Sequence, residues 1–184
     1  GRRRFLAGLG GALALACVLP ARAEFPDVVA QVKNGVVAVG TILPSRNPQF
    51  KFRGTGFVVG NGNLVATNVH VVSDALEENE TLVVAMPGTG RVIGRAVVRH
   101  ASDADHDLVL LHFDGPPLPA LRLGDSGSVR DGQEVAITGF PLGATLGLVP
   151  VTHRGIVSAV TPVGLPAPTA NQLDARTVRR LAVG

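Results

Sequence analysis

Cysteine, tryptophan and tyrosine are nearly missing from this chain. It has one cysteine, Cys17, no Trp and no Tyr, and aromatic residues make up 4% of its 184 positions. A single cysteine excludes an internal disulfide and a Cys-rich zinc cluster. Because Cys17 lies in a leader-like segment, the remainder has no thiol for catalysis. So few rings leave little on which unpaired bases could stack, which argues against single-stranded nucleic-acid binding. Strong charge is lacking as well. The formal net charge is +3, but Gly1 to Ala23 holds four of the 17 Lys+Arg and none of the 14 Asp+Glu, leaving 13 basic against 14 acidic residues beyond it. The basic balance therefore belongs to the leader, and no nucleic acid or other polyanion is expected as a partner. What is present is ample apolar material: 46% hydrophobic with 17% charged residues excludes a disordered chain. The 161 residues after the leader suffice for one domain or two small lobes with a real core.

Long hydrophobic runs are also absent. Arg2-Arg3-Arg4 precedes an apolar run of 15 residues from Phe5 to Leu19, then Pro20 and Ala21-Arg22-Ala23. That run falls short of the ~18–20 residues a spanning helix needs. Charged, apolar and Ala-x-Ala parts in this order predict a secretory signal peptide over 1–23, cleaved after Ala23. Arg2-Arg3-Arg4-Phe5-Leu6, with Gly8, Gly10 and Gly11 diluting the apolar part, is similar to a twin-arginine signal. Ala14 and Leu15 fit a lipoprotein signal at Cys17 poorly. The expected location is periplasmic or extracellular, with membrane contact only during export.

Beyond the leader, Phe25, Val28, Val29 and Val32 recur at helical spacing, and Pro26 suits an early helical position, predicting a helix over Phe25 to Lys33. The pattern then changes to short Val-, Ile- and Leu-rich runs punctuated by Gly, Pro and Asn. Strands are predicted at Val36 to Leu43, Gly56 to Val59, Leu64 to Thr67, Leu82 to Met86, Val92 to Arg99, Leu108 to Phe113, Glu134 to Gly139 and Gly155 to Val160. Gly60-Asn61-Gly62-Asn63 signals a hairpin. The whole reads as an all-β barrel or sandwich. Leu165 to Thr169 is Pro-rich enough for an extended loop, and Arg176 to Leu181 fits strand or helix equally.

Five histidines could do chemistry: His70, His100, His106, His112 and His153. His70 stands out, because the apolar run Leu64 to Thr67 breaks abruptly at Asn68. A histidine at a strand end is held rigidly yet can face a cleft, as a general base must; the alternative is a loop histidine that merely touches solvent. Asp107 directly precedes Leu108-Val109-Leu110-Leu111, so its carboxylate sits at the lip of a buried strand and needs a donor. A histidine Nδ1–H would supply one and leave Nε2 free to accept a proton; the alternative is a strand-capping Asp. The alternating acids from Asp103 to Asp107 mimic a calcium loop, but Leu108 stands where Gly is required and Asp114 where a bidentate Glu is usual. Gly124-Asp125-Ser126-Gly127 looks like a nucleophile signature and reads instead as a surface turn. Nineteen residues from Asp107 to Ser126 are too few to build a second lobe between them.

Taken together, these residues resemble the HtrA/Deg-type branch of trypsin-like serine proteases. Gly54-Thr55-Gly56-Phe57-Val58-Val59 is similar to the family's Gly-Ser-Gly-Phe strand, Thr67-Asn68-Val69-His70-Val71-Val72 to its histidine box, and Asp105-His106-Asp107-Leu108-Val109-Leu110-Leu111 to its aspartate strand. Leu123-Gly124-Asp125-Ser126, Gly132, Gly139-Phe140-Pro141-Leu142-Gly143 and Gly155-Ile156-Val157-Ser158-Ala159 follow in family order, so that the match runs from about Val28 to Val160. The resemblance implies a trypsin-like double β-barrel, with helix and first barrel over 24–124 and part of a second over 125–184. It also implies His70 as general base, Asp107 as its orienting partner, polypeptide substrates, and no cofactor or metal. The family's Gly-Asn-Ser-Gly-Gly box, which carries the serine and the oxyanion amides, occurs nowhere in the 184 residues. The expectation is thus an exported serine endopeptidase whose second barrel is incomplete here, with this piece alone inactive and aggregation-prone. A non-catalytic peptide-binding pseudoprotease of the same fold is the alternative. An unrelated β-sandwich would put His70 and Asp107 far apart.

Overall fold

Continuous apolar runs, where one alternating face would suffice, mark strands buried on both sides, and Val36-Val37-Ala38-Val39 is such a run. In the computed structural model, which describes residues 24–86, 94–141, 143, 147–163 and 178–183, these four residues are all buried in strand β1, Val36–Ile42. Val37 and Val39 point into one core with Val58, Val65, Val109, Leu111 and Phe113, whereas Val36 and Ala38 join a second core with Phe50, Phe140 and Leu148. The two faces of one strand therefore serve two hydrophobic clusters.

Strand β1 pairs antiparallel with β2, Phe50–Val59, and with β4, Thr81–Ala85; β2 continues to β3, Leu64–Thr67, and β3 to β7, Leu108–His112. The remaining strands of this seven-stranded sheet are β5, Gly94–Ala96, beside β4 at one end, and β6, Val98–Asp103, beside β7 at the other. Only Val97 separates β5 from β6, and its N–H bonds the carbonyl of Leu82 on β4 at 3.0 Å. One continuous stretch thus pairs with both ends of the row β4-β1-β2-β3-β7 and closes it into a barrel. A second sheet holds β8, Glu134–Gly139, β9, Val151–Val163, and β10, Val178–Val183, in the order β10-β9-β8. The all-β expectation is met by a curled seven-stranded sheet and a second, three-stranded one.

Helix α1, Phe25–Lys33, has the predicted bounds, with Pro26 in its first turn. Its apolar stripe faces β8 and β9 across a groove of about 380 Å³ lined by Phe25, Val28, Val32 and Arg154. None of its residues is fully buried, and the Arg154 guanidinium lies 5.2 Å from the Phe25 ring centre, within cation–π range.

Several strand bounds differ from the sequence pattern. β2 begins at Phe50 rather than Gly56, because Phe50 to Phe52 and then Gly54 and Thr55 pair along β1, with Arg53 the extra residue of a bulge between them. β9 runs from Val151 to Val163 rather than over Gly155 to Val160, since Thr152 to Arg154 pair with β8. The single strand expected over Val92 to Arg99 is bent at Val97 into β5 and β6, its first two residues lying outside the described ones. Residues 178–181 of the undecided C-terminal stretch are strand. The predicted leader over 1–23 and the loop over 165–169 lie outside the described residues. At the β2–β3 turn, Gly60 and Gly62 have φ of +63° and +92°, as a hairpin with left-handed positions requires.

Candidate active site

Immediately after β3 the chain turns through one 3-10 turn, Val69–Val72, and this turn carries His70. Thr67 at the end of β3 is buried, and its hydroxyl donates to the carbonyl of Thr55 on β2 at 2.9 Å. On the next turn residue, Val71, the side chain fills space that Gly54 leaves open: a Cβ on Gly54 would lie 2.7 Å from Val71 Cγ2. The carbonyl of Val72 accepts from the Arg99 guanidinium on β6. Ser73 Oγ donates to the His70 carbonyl at 3.1 Å. The histidine turn is thereby held by β2, by β6 and by its own continuation.

Asp107, in the turn just before β7, closes the assembly. Its backbone carbonyl accepts from Val69 N–H at 3.2 Å and from Asn68 Nδ2 at 2.9 Å. Its carboxylate takes two further bonds from His70, with the backbone N–H on Oδ1 at 3.0 Å and ring Nδ1–H on Oδ2 at 2.5 Å. Four bonds from one residue to the 68–70 segment fix the imidazole plane, and among the described residues nothing bonds its Nε2. The side chain of His70 is 71% exposed, so Nε2 is open to an incoming group. The His70 amide first, and the ring after it, hold the Asp107 carboxyl below the usual carboxylate range. A carboxylate anchored to Nδ1–H selects the tautomer whose Nε2 is a proton acceptor. Asp107 itself has a φ of +53°, the left-handed region that Asp and Asn tolerate better than most residues.

The structure thus brings together the two residues that the sequence singled out, and their contact excludes the unrelated sandwich in which they lie far apart. It also adds neighbours that were not singled out for the site. Asn68 stood in the histidine box without a role, and Arg99 carried no local signal. His106 bonds Asp103, ring Nδ1–H to Oδ2 at 2.8 Å and backbone N–H to Oδ1 at 3.2 Å, which the i,i+3 spacing could have suggested. His100 and His112 face each other on β6 and β7 with ring centres 6.3 Å apart. Ser126 lies in an exposed 3-10 turn, Ser126–Ser128, capped by the Asp125 carboxylate on Gly127 N–H at 2.8 Å, and no hydrogen bond joins it to His70 or Asp107. Asp103 and Asp107, part of the calcium-like run, each direct their carboxylates to a histidine.

Residues 54–180 match the model of the trypsin-like peptidase domain. Among known proteins, the chain is 34% identical over 106 residues to a probable periplasmic serine endoprotease DegP-like from Pseudomonas putida, covering 58% of this chain and 20% of that one. It is 34% identical over 107 residues to the corresponding protein of Rickettsia prowazekii, covering 58% and 19%. The chain spans about a fifth of the length of these relatives. Among solved structures, the HtrA-type protease AlgW with decapeptide superposes with a TM-score of 0.58 at 24% identity, covering 75% of this chain and 46% of that one, a likeness of fold. The HtrA/Deg-type resemblance carried by the ordered boxes is borne out by these matches. With well over half of its residues matched to the family's model, this chain belongs to the trypsin-like peptidase domain family.

Proposed function

We propose that this chain supplies the general base and its orienting carboxylate to a serine endopeptidase of the HtrA type that acts on polypeptides after export to the periplasm. The observation that carries the reading is the double bond set from His70 to Asp107 with Nε2 left open. In the proposed reaction a serine Oγ attacks a peptide carbonyl while His70 Nε2 takes its proton, and Asp107 stabilises the imidazolium that forms. The same imidazolium then protonates the leaving amine, and a water activated by His70 releases the acyl group. Export is supported by the leader-like residues 1–23 and by relatives named as periplasmic. In this reading the N-terminal helix and first barrel extend over 24–124 and part of the second barrel over 125–184.

The serine and the oxyanion amides are proposed to come from residues other than these 184, which contain no Gly-Asn-Ser-Gly-Gly box. The 184-residue chain alone is therefore proposed to be inactive, without need of cofactor or metal. The test is labelling of the full-length protein by a fluorophosphonate probe. Covalent labelling that His70→Ala abolishes supports the reading. A folded full-length protein that takes no label overturns it in favour of a pseudoprotease that binds extended peptides at a sheet edge.

A further inference from the structure

The β6–β7 turn contains a second His–Asp pair built with the same bonds as the first. Asp107 takes the amide of His70 on Oδ1 and its ring on Oδ2. Asp103 takes the amide of His106 on Oδ1 and its ring on Oδ2, at 3.2 and 2.8 Å. His106 is the residue directly before Asp107. The segment between the two acids is closed further by Asp107 N–H bonding Ala104 O at 3.2 Å. This closure delivers Asp107 in a left-handed conformation, φ +53°, and points its carboxylate back at His70. A non-glycine residue there persists only where its surroundings determine it. On one side Asp107 is held by its bonds to the 68–70 segment. On the other side the Asp103–His106 bonds fix the backbone that feeds it.

We propose that Asp103 and His106 are a positioning pair: by clamping the β6–β7 turn they set where the Asp107 carboxylate sits beneath His70. The inference rests on the functional reading of His70 and Asp107, but its readout is independent of proteolysis. Three observations carry it. The clamp joins two residues three apart in sequence and ends one residue before Asp107. The hairpin that bears it also reaches the far end of the histidine turn, through Arg99 on Val72 O, so displacement of the hairpin displaces both supports of His70. Finally, the His106 ring first, and its amide second, hold the Asp103 carboxyl below its usual range, so the acceptor is ionised in the neutral pH range where His70 would act. Both side chains of the pair are about half exposed, 56% and 52%, so removing the contact leaves the barrel core untouched and the variants fold.

The chemistry of the contact dictates the variants. His106 uses Nδ1–H, and an asparagine at 106 carries its Nδ2–H₂ donor at the same number of bonds from Cα. His106→Ala removes the donor, whereas His106→Asn retains it and discards the ring.

The experiment follows the His70 Nδ1 proton by its ¹⁵N and ¹H resonances and its exchange rate at one fixed pH, in the full-length protein and in variants of equal melting temperature. The expected result for His106→Ala and Asp103→Ala is several-fold faster exchange of the His70 Nδ1 proton and a displaced Nδ1–H resonance, because the Asp107 carboxylate that accepts this proton is less well placed. His106→Asn, which keeps the donor, exchanges this proton at the wild-type rate. Asp107→Asn serves as the reference for full loss of the carboxylate. An unmoved His70 in His106→Ala, with Asp107→Asn moving it, overturns the inference. So does an His106→Asn variant that behaves as His106→Ala, since the bond would then not be the cause. Failure of the functional reading shows separately, as absence of fluorophosphonate labelling in the wild-type protein.

Discussion

The hydroxyl of Thr55, on β2 of the closed barrel, accepts the backbone N–H of Phe140 at 3.0 Å, 85 residues further along the chain. Its carbonyl meanwhile accepts from Thr67 Oγ1, at the root of the histidine turn. One residue thus links the start of the second sheet's loop, the second strand and the site. Phe140 is buried in the core shared with Val36 and Ala38, so its N–H has no water to replace a lost acceptor. Thr55→Val keeps the shape and removes the acceptor. The expected cost is about 1–3 kcal/mol, that of an unsatisfied buried donor. Urea unfolding of wild type and variant measures it, and a Phe140 amide that exchanges no faster in the variant would show that the bond contributes nothing.

Substituting Asp107 separates charge from backbone. Asn tolerates a φ of +53° at least as well as Asp and keeps a side-chain oxygen for the His70 amide, so Asp107→Asn should fold with little change in melting temperature. What it loses is the anion on Nδ1–H, and with it both the tautomer preference and the stabilisation of imidazolium. Under the proposed reaction, kcat of the full-length protein is expected to fall by about 10³–10⁴-fold with a smaller change in KM. Steady-state kinetics on a peptide substrate checks this, and a loss of less than tenfold would remove Asp107 from the catalytic role proposed for it.

How much of this was legible in the sequence depends on whether the signal was local. β1 could be read because two buried faces leave an unbroken apolar run, and β3 because Asn68 ends it sharply. The first half of β2 could not: Lys51, Arg53 and Gly54 disfavour a strand locally, and only pairing with β1 extends it. The bend at Val97 is likewise invisible, since it comes from a bond to Leu82 on a strand more than ten residues earlier. Of the bonded pair, His70 was legible as a candidate from its place after β3 and Asp107 from its place at the lip of β7, and the resemblance of their boxes suggested that they belong together. Asn68, Arg99 and the Asp103–His106 clamp were missed because their partners are fixed by turn geometry rather than by composition.

Gly54 is required by a neighbour rather than by its own backbone. A Cβ there would sit 2.7 and 2.9 Å from the two γ-methyls of Val71 and 3.5 Å from its Cβ, and Val71 follows His70 directly. Gly54→Ala is therefore expected to destabilise the chain by about 1–3 kcal/mol through overpacking and to shift the His70 turn. Since the close contacts are with the Val71 methyls, Val71→Ala should relieve them. The double variant Gly54→Ala/Val71→Ala is expected to be more stable than the sum of the two single effects predicts, by about 1 kcal/mol or more. Strict additivity in denaturant unfolding would show that Ala at 54 is accommodated elsewhere.

Glu80 gives the fold a defined acid limit. Its side chain is only 2% exposed, and its Oε1 accepts from the Thr41 hydroxyl and from Arg46 Nη1 at 2.9 Å, while Oε2 accepts the Glu77 amide at 3.0 Å. The Thr41 bond above all, then the Glu77 amide and Arg46, lower its pKa from 4.5 to about 2. A carboxyl whose folded value is depressed stabilises the folded state fully above its unfolded value, and that contribution is lost as pH falls through the folded value. The window here runs from about pH 4.5 down to about pH 2. A shift of this size corresponds to about 3 kcal/mol. Glu80→Gln cannot ionise and leaves the Arg46 guanidinium without its anion, so it is expected to be less stable than wild type at pH 7 and to lack this part of the acid dependence. Because other carboxylates also titrate in acid, the measured quantity is the stability difference between wild type and Glu80→Gln, by urea unfolding at steps from pH 7 to pH 2.5. That difference should be constant above about pH 5 and should shrink steadily below it. A difference that stays flat to pH 2.5 would mean that Glu80 carries its charge equally well in the unfolded chain, and that the Thr41–Arg46–Glu80 cluster does not set the acid limit.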